Sequence, residues 1–286
     1  MLKNKKRWIT VALICLAAGF ILCVAGKLSG GKGKLVINGK GIQTSDLNDF
    51  DYKAEGNIDK IFLDADNVKV NIERSDDEYV RVHICDYKDA EDIKVSEENG
   101  QFKVEDKDNW GINFGFDFST DMFKSTYATV YIPEDMNLSE LEIYTNNGKI
   151  ESAVNMEVGR LTLKTSNGKV LVSNIKVRES SYICTDNGRI ECDGIFNGTS
   201  HFITSNGKVD AKGSYTGEAF FESSNGKIDI ETDSSINDYN INASTSNGNV
   251  YINDEKKSES YEKNTGAQNS LDINTSNGRI NLQTKN

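Results

Sequence analysis

A pattern of apolar and polar positions recurs through the second half of the chain, and each copy is centred on an Asn-Gly pair. Apolar side chains stand five residues before and two residues after the glycine in all seven copies, and the position four residues after it is mostly apolar. The position directly after the glycine holds Lys, Arg or Asn, which are expected to face water. Alternation with a period of two on both sides of the pair predicts two half-buried strands per copy, joined by a tight turn.

The turns are assigned to the Asn-Gly pairs, because both residue types tolerate positive φ angles. The predicted turn residues are Asn147, Gly148, Asn167, Gly168, Asn187, Gly188, Asn206, Gly207, Asn225, Gly226, Asn247, Gly248, Asn277 and Gly278. Most copies read close to T-S-N-G-K-V. We expect the glycines to occupy positive-φ positions.

The spacing of the copies decides between two architectures. The glycines are separated by 20, 20, 19, 19, 22 and 30 residues, and the longest gap holds a polar insert around residues 254–268 that is expected to be a surface loop. Such units can form a hairpin meander with antiparallel pairing, or a single-stranded β-solenoid whose coils stack in register. Stacking in register places identical residues above one another, so the nearly unbroken Asn column and the Thr/Ser column before it favour an all-β, β-helix-like solenoid.

Earlier segments fit the same pattern less closely. In residues 65–70, Val68 takes the place of the glycine, and the expected inward positions are Ile61, Leu63, Val70 and Ile72. The pair Asn99-Gly100 can close an ordinary hairpin. Residues 111–119 are expected to form an amphipathic strand that caps the stack. We therefore assign 58–140 to degenerate N-terminal coils with a cap, and 141–286 to the regular repeats.

The N-terminus has the features of a membrane anchor. Residues 8–26 carry no charge and span roughly 28 Å as a helix, close to the thickness of a bilayer. The basic residues of segment 1–7 predict a cytoplasmic tail, and segment 27–57 is assigned to a linker. This predicts a single-pass protein of the cell membrane whose C-terminal body lies outside the cytoplasm. Cleavage as a signal peptide is the alternative, which the length of the run disfavours.

Composition excludes several classes of partner and cofactor. The net charge is −11, and the chain after Arg7 has 29 basic against 44 acidic residues, which predicts no nucleic-acid partner. An odd number of cysteines follows the apolar run, so a disulfide framework is not expected. With two histidines and no Cys/His spacing typical of zinc, no metal or other cofactor is predicted.

The basic N-terminus, the apolar run, the strand around Val68, the segment VYIPEDMNL (130–138) and the serial T-S-N-G-K-V copies resemble a bacterial family. Its members are usually called "putative adhesins" or LiaG-like β-strand-repeat proteins, and their function is unknown. The resemblance covers roughly residues 58–282. It implies a β-solenoid on the outside of a bacterial cell, with a link to envelope-stress signalling, and it supplies no catalytic residues.

Stacked carboxylates are the one pattern that suggests catalysis. Acidic residues stand three positions after the glycine in four copies, namely Glu151, Glu191, Asp210 and Asp229. Consecutive coils would place the last three of them about 4.8 Å apart, a separation that suits a paired-carboxylate glycosidase. Each acid also lies two residues from a cation on the same face, Lys149, Arg189, Lys208 and Lys227 respectively. A solvated lattice of opposite charges is therefore the favoured interpretation, and the protein is not predicted to be an enzyme.

A departure from the repeat pattern provides the candidate binding site. Six positions before the glycine the side chains should face water, yet three consecutive coils place Tyr182, His201 and Phe220 there. An exposed aromatic ladder is a suitable platform for a sugar ring or an apolar side chain of a partner. The alternative is that the insert at 254–268 or the linker folds over the ladder and buries it.

Three functions are compatible with this interpretation. The first, which we favour, is a membrane-anchored extracytoplasmic interaction module of the bacterial cell envelope that binds another envelope protein or a glycan. The second is an accessory regulator or sensor in envelope-stress signalling, acting through a membrane partner. The third is a polysaccharide-active β-helix enzyme.

Overall fold

The computed structural model describes residues 47–86, 89–106 and 126–285, the backbone of two strands at 34–38 and 41–45, and residues 14–16, 18, 19 and 21. It divides into two compact units. The first contains β1 (Lys34–Asn38) and β2 (Gly41–Ser45), which pair antiparallel. The predicted anchor at 8–26 and the predicted cap strand at 111–119 fall largely or wholly outside the described residues. Among the described residues no helix is both long and apolar enough to cross a membrane.

The second unit is built from strands, with two short 3₁₀ turns at Ala90–Asp92 and Ile236–Asp238. Its N-terminal strands are β3 (Asn48–Lys53), β4 (Lys60–Asp64), β5 (Lys69–Arg74), β6 (Arg81–Asp86), β7 (Ile93–Glu98), β8 (Gln101–Asp106) and β9 (Tyr127–Ile132). The regular repeats contribute β10 (Asn137–Thr145), β11 (Ile150–Ser152), β12 (Met156–Thr165), β13 (Val170–Thr185), β14 (Ile190–Thr204), β15 (Val209–Ser223) and β16 (Ile228–Ser235). The C-terminal strands are β17 (Tyr239–Thr245), β18 (Val250–Ile252), β19 (Glu255–Lys256), β20 (Ser260–Lys263), β21 (Asn269–Thr275) and β22 (Ile280–Lys285). The all-β class is confirmed, although β1, β2 and β3 lie in the segment assigned to a linker.

Successive repeats pair in parallel and in register. Leu163 of β12 pairs with Ile183 of β13, which pairs with Phe202 of β14 and then with Phe221 of β15. A meander would pair these strands antiparallel. The apolar columns fill the interior, where the rings of Phe202 and Phe221 stack with centroids 4.8 Å apart. Each unit of about 20 residues is therefore one coil of a solenoid-like stack.

The asparagine column forms a continuous ladder of amide hydrogen bonds. The Nδ2 of Asn187 donates to Oδ1 of Asn167 at 2.7 Å, and Asn206 donates to Asn187 at 2.8 Å. The threonine column joins the coils in a second way. Thr185 Oγ1 donates to the carbonyl of Gly168 at 2.8 Å and accepts from the amide of Gly188 at 3.1 Å. These bonds give a physical reason for the recurrence of both residue types.

The predicted reason for the glycines is wrong. None of the seven repeat glycines is among the residues with positive φ. Each is instead required by the close approach of the neighbouring coil: a Cβ built on Gly188 would lie 1.7 Å from the carbonyl oxygen of Gly168, and one on Gly207 would lie 1.7 Å from that of Gly188. The chain bends at these positions, and only a residue without a side chain fits between the coils.

The order of the last coils differs from the order along the chain. Strand β21 lies between β15 and β17, and β22 lies between β16 and β18, so the last repeat is inserted between the two repeats that precede it. The asparagine ladder follows the same order, since Asn277 donates to Asn225 and Asn247 donates to Asn277, both at 2.8 Å.

The insert at 254–268 is not the simple surface loop that the sequence predicts. It contains β19 and β20, which pair antiparallel with β18 and β17 at the end of the stack. The 30-residue spacing gives the chain enough length to pass the terminal coil and return. These strands pair with an edge whose amides and carbonyls would otherwise be open to other chains.

The N-terminal end is closed in a similar way. The coil with Val68 in the glycine position is confirmed, because β4 and β5 pair in parallel with β10 and β11 and their inward residues are buried. The hairpin is confirmed as well: β7 and β8 pair antiparallel around Asn99 and Gly100, whose φ angles are 52° and 76°. Strands β8 and β9 then pair with β4 and β5, while β6 and β7 lie antiparallel outside them.

Candidate functional site

The three predicted site residues lie next to one another on the outside of the stack. Tyr182 is the register partner of His201, which is the partner of Phe220. The ring centroids of Tyr182 and His201 are 6.1 Å apart, and those of His201 and Phe220 are 4.7 Å apart with planes inclined by 10°. The flanking residues in each strand point inward and are buried. We call these three residues the aromatic ladder, and the outward side of the strand segments preceding the Asn-Gly bends the ladder face.

The ladder is exposed to different degrees along its length. Tyr182 is 39% exposed, and His201 and Phe220 are half-buried. Because His201 and Phe220 stack face to face, one face of each ring is covered by the other. The insert, one of the two segments named as alternatives for covering the ladder, pairs with the terminal coil. A partner would therefore meet the exposed Tyr182 ring and, at the other end, the side of Phe220 that is turned away from His201.

The surroundings of the ladder combine apolar and acidic groups. Cys184 and Ile203 continue the outward pattern on β13 and β14, two residues after Tyr182 and His201. Burial raises the pKa of the Cys184 thiol, so the thiol stays protonated at neutral pH. Burial also raises the pKa of Tyr182, and the negative charge of Glu222 acts in the same direction. The hydroxyl of Tyr182 is therefore a neutral hydrogen-bonding group.

The acidic column lies on a second outward surface, formed by the strand segments after the bends, which we call the lattice face. Here the favoured interpretation is confirmed, because each of the four carboxylates is paired with at least one cation. The ion pairs are Lys69–Glu151, Lys149–Glu151, Arg189–Glu191, Arg189–Asp210, Lys208–Asp210, Lys208–Asp229 and Lys227–Asp229, with N···O distances of 2.5 to 3.2 Å. These carboxylates and cations therefore form a lattice of mutually paired charges.

The lattice predicts a modest dependence of stability on pH. Burial by itself raises the pKa of Asp210, but hydrogen bonds from Lys208 and Arg189 outweigh it and hold the pKa below the ordinary value of 3.8. The unfolded chain therefore takes up the proton first as the pH falls. The stabilisation is present above the unfolded pKa and is lost as the pH falls through the folded one.

We expect Asp210→Asn to cost less than about 1 kcal/mol at pH 7, since the pair is partly exposed to solvent. The variant should also flatten the acid limb of the stability curve. Chemical denaturation at several pH values between about 2 and 7 measures both effects. If the stability of the variant were lower by the same amount at every pH, the lowered pKa of Asp210 would be contradicted.

Sequence reasoning missed an acidic cleft beside the N-terminal coils. Its volume is about 910 Å³, and its lining includes Asp59, Asp76, Asp77, Glu78, Glu134 and Asp135. Tyr79, which is 42% exposed, also lines it, and Lys53 Nζ lies 3.4 Å from the centre of the Tyr79 ring. These residues come from loops far apart in sequence, and only the acidic run 76–78 gave a local signal. In the part of the chain that the structure describes, no group of His, Cys, Asp or Glu is arranged to hold a metal ion.

The repeat structure can be compared with known families. The family model described as Toastrack DUF4097 matches residues 58–217 and, in a second overlapping match, residues 153–283. The chain belongs to the Toastrack DUF4097 family. These matches span the coils on both sides of the aromatic ladder, so the ladder is carried by the family's own fold.

Solved structures similar to this Toastrack protein are distant in sequence. A "putative adhesin" from Bacteroides fragilis is 15% identical, with a TM-score of 0.45 over 84% of this chain and 97% of that one. A "putative cell adhesion protein" from Clostridium sporogenes is 15% identical, with a TM-score of 0.35 over 84% and 100%. A "putative lipid binding protein" from Parabacteroides distasonis is 14% identical, with a TM-score of 0.41 over 82% and 96%. No curated protein sequence matches the chain.

Proposed function

We propose that this Toastrack DUF4097 protein is an adhesin-like binding module, anchored in the cell membrane, whose contact surface is the aromatic ladder. The observation that carries the proposal is the exposure of Tyr182 at 39% beside the half-buried rings of His201 and Phe220. Aromatic side chains offer a large contact area at a low cost in conformational entropy, and they are enriched in binding hot spots. The parallel strands beneath them hold the three rings in fixed register, so little ordering is needed on binding.

The lattice face supports the proposal by contrast. Its carboxylates and cations pair with one another across the coils, so few unpaired charged groups are left for a ligand to contact. The envelope location rests on the uncharged run at 8–26 and the cations before it. The proposed module would bind a protein or glycan of the envelope with the ladder face.

The ladder is tested by replacing its two ends. We expect the double variant Tyr182→Ala, Phe220→Ala to lose at least about tenfold in affinity for envelope fractions, because hot-spot aromatics each contribute about 2 kcal/mol or more. Its unfolding free energy should fall by less than about 3 kcal/mol in total, since neither ring is fully buried. Binding is measured by co-sedimentation, and thermal unfolding by circular dichroism.

Tyr251→Ala is the matched control, because Tyr251 is an outward aromatic on the lattice face, at β18. It should leave binding unchanged. Unchanged binding in the double variant would refute the ladder as the contact surface, and so would an equal loss in Tyr251→Ala.

The membrane orientation has its own test. Protease added to intact cells should digest residues 58–286 and leave the segment around 8–26 embedded, because the cationic tail is retained in the cytoplasm. The digest is followed by immunoblotting against the C-terminal body. Protection of the body until the cells are lysed would show the opposite topology.

A further inference from the structure

The aromatic ladder ends at Phe220, and the residues next to this end are not aromatic. Phe220 stacks on His201 on one side. On its other side the register partner is Asp272 of β21, which carries no ring. One face of the Phe220 ring is thus left without an aromatic neighbour, at the point where the ladder ends.

Two more carboxylates flank this ring. Glu218 and Glu222 stand two residues before and two residues after Phe220 on β15, and both are exposed. Their register partners are uncharged: Thr199 and Ser270 beside Glu218, and Ile203 and Asn274 beside Glu222. Asp272 accepts hydrogen bonds from Asn242 and Asn274, which are neutral donors. Among the described residues, none of these three carboxylates has a cation within ion-pair distance.

The contrast with the lattice face shows that this arrangement is not general to the fold. There each stacked carboxylate is paired with at least one Lys or Arg, and Asp210 and Asp229 each have two. On the ladder face the nearest cations in register are Arg160, in the row of Glu218, and Lys164, in the row of Glu222, and each lies three strands away on β12. Unpaired like charges around an apolar ring contribute nothing favourable to the free protein.

We infer, building on the proposed function, that the ladder face recognises a basic segment of a partner protein, with an arginine seated on the free face of Phe220 between Glu218, Glu222 and Asp272. A planar guanidinium stacks on an aromatic face and donates to carboxylates in its own plane. The apolar side chains next to the arginine would lie along His201, Ile203 and Tyr182. An anionic membrane surface or nucleic acid would be repelled by the same three charges.

The experiment compares three variants of the full chain in detergent. Glu218→Gln with Glu222→Gln removes charge while keeping size, Tyr182→Ala with Phe220→Ala removes the rings, and Glu191→Gln removes a paired carboxylate on the lattice face as the control. Each is tested for binding to envelope fractions, and to two hexapeptides of alternating Arg and Leu or alternating Gln and Leu. Titrations are run at about 50 and 200 mM salt, which separates screened from unscreened interactions.

The inference predicts that the parent chain binds the Arg peptide at least about tenfold more tightly than the Gln peptide, and that the glutamine pair removes this preference. Envelope binding should fall about tenfold in the glutamine pair and weaken with salt, while the control is unchanged. If the ring variant loses envelope binding but the glutamine pair keeps it, the proposed function stands and the basic partner is wrong, which favours a glycan. If both variants keep it, the proposed function fails too. Equal affinity for the two peptides would overturn the arginine site.

Discussion

Replacing Gly188 with alanine is expected to destabilise the protein by about 3 kcal/mol or more, because the new methyl group has no space. Its carbon would lie 1.7 Å from the Gly168 oxygen and 2.6 Å from the Gly168 carbonyl carbon, so the backbone of two coils must move apart. The Thr185 bonds that join these coils would be strained at the same time. Chemical denaturation followed by circular dichroism measures the loss.

Gly266→Ala is the matched control for this prediction. Gly266 has a φ of +74°, and no atom lies within 4 Å of the place that a Cβ would take, so the substitution introduces conformational strain alone. That strain is expected to cost about 1 kcal/mol. If the two variants lose equal stability, close packing of the coils is not what requires glycine at the bend.

Two adjacent phenylalanines provide the second large effect. Phe221 is fully buried and stacks on Phe202, whereas Phe220 points outward and is half-buried. We expect Phe221→Ala to cost about 3 to 5 kcal/mol through lost burial and the resulting cavity. Phe220→Ala should cost less than about 1.5 kcal/mol, mainly through the lost stacking with His201.

The comparison is strict because both residues lie on one strand and have the same side chain. A similar loss in the two variants, measured by the denaturation midpoint at constant slope, would mean that the ladder is part of a core. A larger loss in Phe220→Ala would reverse the assignment of the two faces.

Much of the fold could be predicted because each column repeats the same environment. Alternation around the bends identified residues such as Ile183 and Ile190 as core, and Tyr182, directly before Ile183, as outward. The role of the repeat glycines could not be predicted in the same way. Recurrence shows that glycine is required, but the cause is the distance to the neighbouring coil, which depends on how the bends stack rather than on the local sequence.

The order of the last two coils could not be predicted from the sequence either. The copies around Asn247 and Asn277 both provide the asparagine of the amide ladder. Either copy could therefore form the amide hydrogen bond to Asn225. This choice determines the candidate site, because the sequence order would place Asn242 next to Phe220, whereas the structure places Asp272 there. The three-carboxylate environment of Phe220 is therefore a product of the chain topology.

The claim that the ladder face is the contact surface can be tested most directly by site-specific photocrosslinking in living cells. A photoreactive phenylalanine analogue is placed at position 182, 220 or 251, and all three positions already hold outward aromatic residues. We expect adducts with an envelope component from positions 182 and 220 and none from position 251. Adducts from position 251 alone, or equal adducts from all three positions, would show that the ladder face is not the contact surface.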